Sequence, residues 1–142
     1  AAGGLECVHQ PHAGFDGPAL TWGMKCKTRD AAECCEACLT HRRFVSGAVG
    51  LCGKRAIGCN AFVFCPTPMC WANDIHNHSR GECWLKAQLD PAKPRAPAFG
   101  AYPDGYRRKH RTAPEKVQWS SGALVPPGTQ LAVDGPYWKY RL

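Results

Sequence analysis

Nowhere in the 142 residues do eighteen apolar residues follow one another, which excludes a membrane-spanning helix within the sequence. No Gly-x-Ser-x-Gly is present, so the strand-turn-helix elbow of a serine hydrolase is missing. Cysteine pairs at zinc-ligand spacing are scarce. Cys35-x2-Cys38 is the one Cys-x2-Cys, and the histidine near-pairs His9-x2-His12 and His76-x-His78 do not complete it. A structural zinc site wants two clean pairs, so no metal or other cofactor is expected. Acidic residues are few. Eleven Asp and Glu stand against eighteen Lys and Arg, leaving a net charge of +7. Such a surface suits an acidic glycan, protein or lipid surface, although a merely solvated basic surface has the same composition. Finally, no cysteine follows Cys83.

What is there begins with those cysteines. All ten fall between Cys7 and Cys83, a density typical of a disulfide scaffold. Their even number fits an oxidising setting, either secreted and at the extracellular surface or in an organelle lumen. Ala1-Ala-Gly-Gly reads as a mature end left by processing. The basic charge gathers later. From Leu85 onward ten Lys and Arg face four acids.

One stretch organises the cysteine-rich part. Asp30 to His41 reads as a short helix with Asp30 as N-cap and Glu33 placed for a capping box. Cys34, Cys35 and Cys38 then project from one helical face. Three sulfurs on one face mean staples, a metal or redox chemistry. Redox fits poorly. Cys35 and Cys38 lie in mid-helix beside Glu33 and Glu36, which disfavour a thiolate.

Four strands are expected. Ala19–Trp22 reads as an edge strand after the Asp16-Gly17-Pro18 turn. Gly58–Cys65 is the best strand, with Cys59, Ala61, Val63 and Cys65 on one face and Asn60, Phe62 and Phe64 on the other. Two apolar faces predict a central strand, its sulfur face meeting the helix. Glu82–Ala87 is another, with Cys83 and Leu85 on one face, and Val117–Leu124 closes the set. Arg42–Ile57 and Pro66–Gly81 read as loops, the first tied down by Cys52. The expected organisation is a core over 1–90, a Pro-rich and basic connector over 91–116, a closing strand over 117–124 and an aromatic extension over 125–142. With one helix and an antiparallel sheet, the fold class is α+β.

Three motifs occur in order: Cys34-x3-Cys38, Gly58-Cys59-Asn-Ala-Phe62 and Cys83-Trp-Leu85-Lys86. Together with Phe15-Asp-Gly-Pro-Ala-Leu20 and Val117–Gly122, this pattern over residues 5–124 resembles the PAN/Apple domain family. The resemblance implies an antiparallel sheet with one helix stapled across it. It implies that Cys38 pairs with Cys59, and that the first helix cysteine pairs with Cys83. Cys34 or Cys35 could be that first cysteine, and Cys34 keeps the family spacing. Cys7 has no late cysteine to meet and must find another partner, Cys26 being one candidate, so its pairing stays open. Cys35, Cys52, Cys65 and Cys70 remain for two further bridges of open pairing.

The resemblance also implies binding in place of catalysis. The expected role is an adhesion module, an accessory or structural subunit that contacts other extracellular or lumenal proteins, glycans or acidic surfaces. A lectin-like protein is the alternative, ahead of a thiol-redox or zinc protein. Candidate contact residues are Trp22, Trp71 and Trp138, whose rings could stack on sugars or anchor an interface. The basic cluster Tyr106, Arg107, Arg108, Lys109 and Arg111 joins them. It could bind nucleic acid, but an oxidising compartment argues against that partner. Trp84 and Trp119 read as core. Asn77-His-Ser79 is an N-glycosylation sequon in a loop.

Overall fold

The computed structural model describes residues 4–44 and 57–140. The Ala1-Ala-Gly end, most of the loop expected over 42–57, and Cys52 therefore lie outside the described residues. The fold is α+β. A four-stranded antiparallel sheet runs in the order β1 (Glu6–Pro11), β8 (Ser120–Val125), β3 (Ala61–Phe64) and β6 (Cys83–Lys86). The helix α1 (Ala31–Arg43) lies on one face.

Local chemistry starts α1 where the sequence places it. The Asp30 carboxylate accepts from the Glu33 amide at 2.8 Å, satisfying one of the orphan donors of the first turn. Glu33 reaches back in turn, one residue further than a capping box, and accepts from the Arg29 amide at 3.1 Å. His41, Arg42 and Arg43 occupy the last turn, where positive charge suits the helix dipole. The helix thus takes in Arg42 and Arg43, which the sequence pattern assigns to a loop.

Alternation along the strands sorts the core into two layers. Phe62, Phe64, Leu85 and Leu124 face α1 together with Cys34, Cys38, Cys59 and Cys83. Ala61, Val63, Ala123 and Val125 face the other way. This corrects the expected orientation of the central strand: α1 meets the phenylalanine face. The reason is that the ladder begins at Ala61, so Cys59 lies before the strand and escapes its alternation. Burying Phe62, Leu85 and Leu124 contributes about 1.5–3 kcal/mol each. Gly122 sits opposite Phe62 in the ladder, and a Cβ there would collide with the Phe62 ring. The glycine is the seat of that ring.

Disulfides lock this layer. Cys34 pairs with Cys83 and Cys38 with Cys59, at Cα separations of 5.6 and 5.2 Å. Cys7 pairs with Cys35, not with Cys26, because β1 runs beside β8 and brings Cys7 over the helix. All three helical sulfurs are therefore structural staples. Cys65 pairs with Cys70 across a tight loop. Cys26 is disulfide-bonded as well, and no described cysteine is free.

The expected edge strand at Ala19–Trp22 is not formed. Ala19 makes an isolated bridge to Lys86 and the Leu20 amide donates to the Leu85 carbonyl, after which the chain turns at Trp22. The N-terminal strand is Glu6–Pro11, which pairs with β8 along its whole length. Short ladders complete the fold: β2 (Ala13–Gly14) with β7 (Ala98–Phe99), and β4 (Met69–Cys70) with β5 (His78–Ser79) inside the 66–81 loop. A six-residue helix, α2 (Asp104–Lys109), follows β7.

The Pro-rich stretch lies docked against the second layer. Asp16 and Ala96 donate their amides to Arg95 and Asp134 carbonyls, and Tyr137 donates to Pro97. Gln88 clamps it at Arg95 by accepting from the amide at 3.0 Å and donating to the carbonyl at 3.1 Å. Ala96, Tyr102, Ala113 and Val117 are buried in that layer, with Leu131, Val133 and Trp138 packed on it. No helix among the described residues is long and apolar enough to cross a membrane.

Candidate functional site: an aromatic groove

The sheet face away from α1 opens into a groove of about 480 Å³. Its floor follows from strand alternation. With Cys83 and Leu85 turned toward the helix, Trp84 and Lys86 of β6 must point the other way, beside Val63 of β3. The walls come from remote parts of the chain. Trp71 follows the Cys65–Cys70 bridge, Trp119 precedes β8, and Tyr102, Tyr106 and His110 lie before, on and just after α2. Tyr137 and Trp138 close one side from the 3-10 turn Tyr137–Tyr140.

Hydrogen bonds fix these rings. The Trp71 indole donates to Thr112 Oγ1 at 2.8 Å, its amide donates to Gln118 Oε1 at 2.7 Å, and the Trp119 indole donates to the Trp71 carbonyl at 3.0 Å. Tyr102 and Tyr106 stack with centroids 5.2 Å apart, and Trp71 meets the Tyr102 ring edge-on at 5.3 Å. Trp138 leans on Tyr106 at 5.5 Å. Burial, followed by the neighbouring Tyr106, pushes the Tyr102 hydroxyl above its ordinary range, so it stays neutral.

The groove holds one acid-base cluster. His78, 5% exposed, lies with Nδ1 2.8 Å from Glu82 Oε1 and Nε2 2.8 Å from Asp74 Oδ2. Burial works to lower its pKa, but the bonds to Asp74 and Glu82 outweigh that and the net shift is upward. Asp74 moves the opposite way: burial pushes it up, yet the His78 bond and the His76 amide bring it below its ordinary value. Glu82 is buried and accepts from the Trp84 indole at 3.1 Å and the Ser79 amide at 2.7 Å. Both nitrogens of His78 are thus committed to carboxylates. The cluster is arranged to brace the loop against β6.

Lys86 is the groove's cation. Its Nζ donates to the Gly17 carbonyl at 3.2 Å and lies 6.0 Å from the Trp84 ring centroid. Burial lowers its pKa, and Asp16 offsets part of that.

Of the residues singled out from sequence, Trp71, Tyr106 and Trp138 line the groove together. Trp22 does not; it is 54% exposed and leans on Trp84 at 5.4 Å and His76 at 6.3 Å. Arg107, Arg108 and Arg111 flank a separate shallow hollow with Asp104, and Lys109 is exposed. Asn77 is exposed in the loop before β5. Sequence reasoning assigned Trp84 and Trp119 to the core, where Trp119 is indeed buried while also lining the groove; it weighed His78 only as half of a metal near-pair and passed over Tyr102, Lys86 and His110. For Trp84 and Lys86 the signal was present, since they alternate with Cys83 and Leu85. No family model, curated protein or solved structure matches the chain.

Proposed function

We propose that this chain is a non-catalytic binding module of the PAN/Apple type, acting in an extracellular or lumenal setting, and that the aromatic groove holds a saccharide. One observation carries the reading: hydrogen-bonded Trp71 and Trp119 rings and the stacked Tyr102 and Tyr106 rings line a groove of about 480 Å³ that is open to solvent on a disulfide-stapled scaffold. Flat rings present low-entropy apolar faces to the C–H face of a pyranose, and the indole N–H groups of Trp71, Trp84 and Trp119, already donated within the protein, hold those faces in place. The volume suits one or two sugar rings. The bridges Cys34–Cys83 and Cys38–Cys59 support the family reading, since they are the pairs the motif order implies.

A protein partner is the second reading, favoured by a different surface. Trp22 at 54% exposure and Ile75 at 94% lie near one another through the Trp22–His76 ring contact. Apolar groups presented so openly suit an accessory subunit of a larger assembly.

Glycan-array screening followed by titration of tryptophan fluorescence tests the saccharide reading. Trp138→Ala should weaken the best saccharide about tenfold through loss of one stacking ring. An array without any binder, or full affinity in Trp138→Ala, overturns it.

A further inference from the structure

Resting on the saccharide reading, we infer that the groove's ligand is a sugar acid: a pyranose carrying a carboxylate that pairs with Lys86. Of the charged groups in the groove, Asp74 and His78 are closed on one another, and Lys86 is not part of that pair. Both oxygens of Asp74 are in use, one by the His78 ring and the other by the His76 amide. Lys86 is different. It lies at the floor of the groove, removed from much of the solvent, with one hydrogen bond to the Gly17 carbonyl and no ion pair among the described residues. An ammonium so placed has lost hydration for one carbonyl and the attraction of Asp16 from beyond ion-pair distance, and an arriving anion restores what it lacks. The aromatic rings beside it supply an apolar face for the rest of the ring.

The neighbouring hollow is basic on balance as well. Tyr106 and His110, four residues apart on and just after α2, turn into the groove. Arg107, Arg108 and Arg111 fall on the neighbouring faces of that segment. A polymer whose acidic ring occupies the groove and which continues past α2 would meet these guanidinium groups in the separate hollow that they flank with Asp104. Charge and apolar lining together select an oligomer of hexuronic acid over its neutral counterpart.

Calorimetric titration with an oligomer of hexuronic acid, and with the same oligomer reduced at C6 to the neutral hexose, tests the assignment. The wild-type chain should hold the acid about tenfold more tightly, and added salt should narrow the ratio. Lys86→Met should collapse the ratio toward one, and Lys86→Arg should keep it. If Lys86→Met does not fold by circular dichroism, Lys86→Gln carries the same comparison, and the wild-type ratio stands by itself. Equal binding of both oligomers by the wild type overturns the sugar-acid inference and leaves the saccharide reading intact. Persistence of the preference without Lys86 overturns the assignment to that residue. Failure of either oligomer to bind, with an empty array, overturns both readings together.

Discussion

His78 shows how one residue changes meaning when the chain folds. In the sequence, His76-x-His78 is a near-pair with metal-ligand character. In the fold, Asp74 and Glu82, four residues away on either side, close on His78 from both ends. The spacing was visible; the meaning was not, because only the 66–81 loop with its β4–β5 ladder bends three such residues into contact. A pH dependence follows. His78 is raised above its ordinary 6.5, so its contribution is complete below that value and is lost as pH rises through the folded pKa. Asp74 is lowered from 3.8, so its contribution is present above that value and is lost as pH falls through its folded pKa. The clamp is strongest between about 4 and 6.5. Between about pH 6 and pH 9, wild-type melting temperature should fall by about 3–6 °C, the equivalent of about 1–2 kcal/mol from charge-assisted bonds. In His78→Gln the same interval should be nearly flat. Parallel melting curves for the two chains would remove the clamp from the account.

At the scale of elements, α1 is the most legible part of the chain, because its cap and its sulfur face are local patterns. The strands are legible in part. Gly58–Cys65 alternates clearly, yet which face meets α1 depended on where the ladder starts, and that is decided by the pairing of Ala61 with Lys86 and Ala123. Glu6–Pro11 escaped notice because β8 supplies its regular partner from across the chain. The disulfides differ in what they hold. Cys34–Cys83 closes a separation of 49 residues and Cys65–Cys70 one of 5. Removing the long bridge as Cys34→Ala with Cys83→Ala should cost about 4 kcal/mol, and removing the short one as Cys65→Ala with Cys70→Ala about 2 kcal/mol. Urea denaturation of the two double variants measures this. The short bridge has a second effect, since Trp71 directly follows it, so its loss should also weaken ligand binding in the groove. Equal costs, or a larger cost for the short bridge, would contradict loop closure as the source.

For the whole molecule, the even cysteine count and the lack of a free thiol among the described residues converge on full oxidation. Intact mass under non-reducing conditions should lie ten hydrogens below that of the reduced chain, one for each of the ten cysteines. Any smaller deficit would reveal a free thiol. The chain by itself determined what depends on neighbours in sequence: a capped helix, its stapling face, a central strand, and the oxidised α+β character that ten clustered cysteines impose. It also announced the aromatic residues one by one. Only the tertiary structure decided that Trp71, Trp84, Trp119, Tyr102, Tyr106 and Trp138 share one groove, that Cys7 reaches Cys35, and that the Pro-rich stretch is a wall. The physical reason is range. Capping and alternation act over three or four residues, whereas the groove joins positions from 14 to 138 through sheet pairing and burial, which no local pattern encodes.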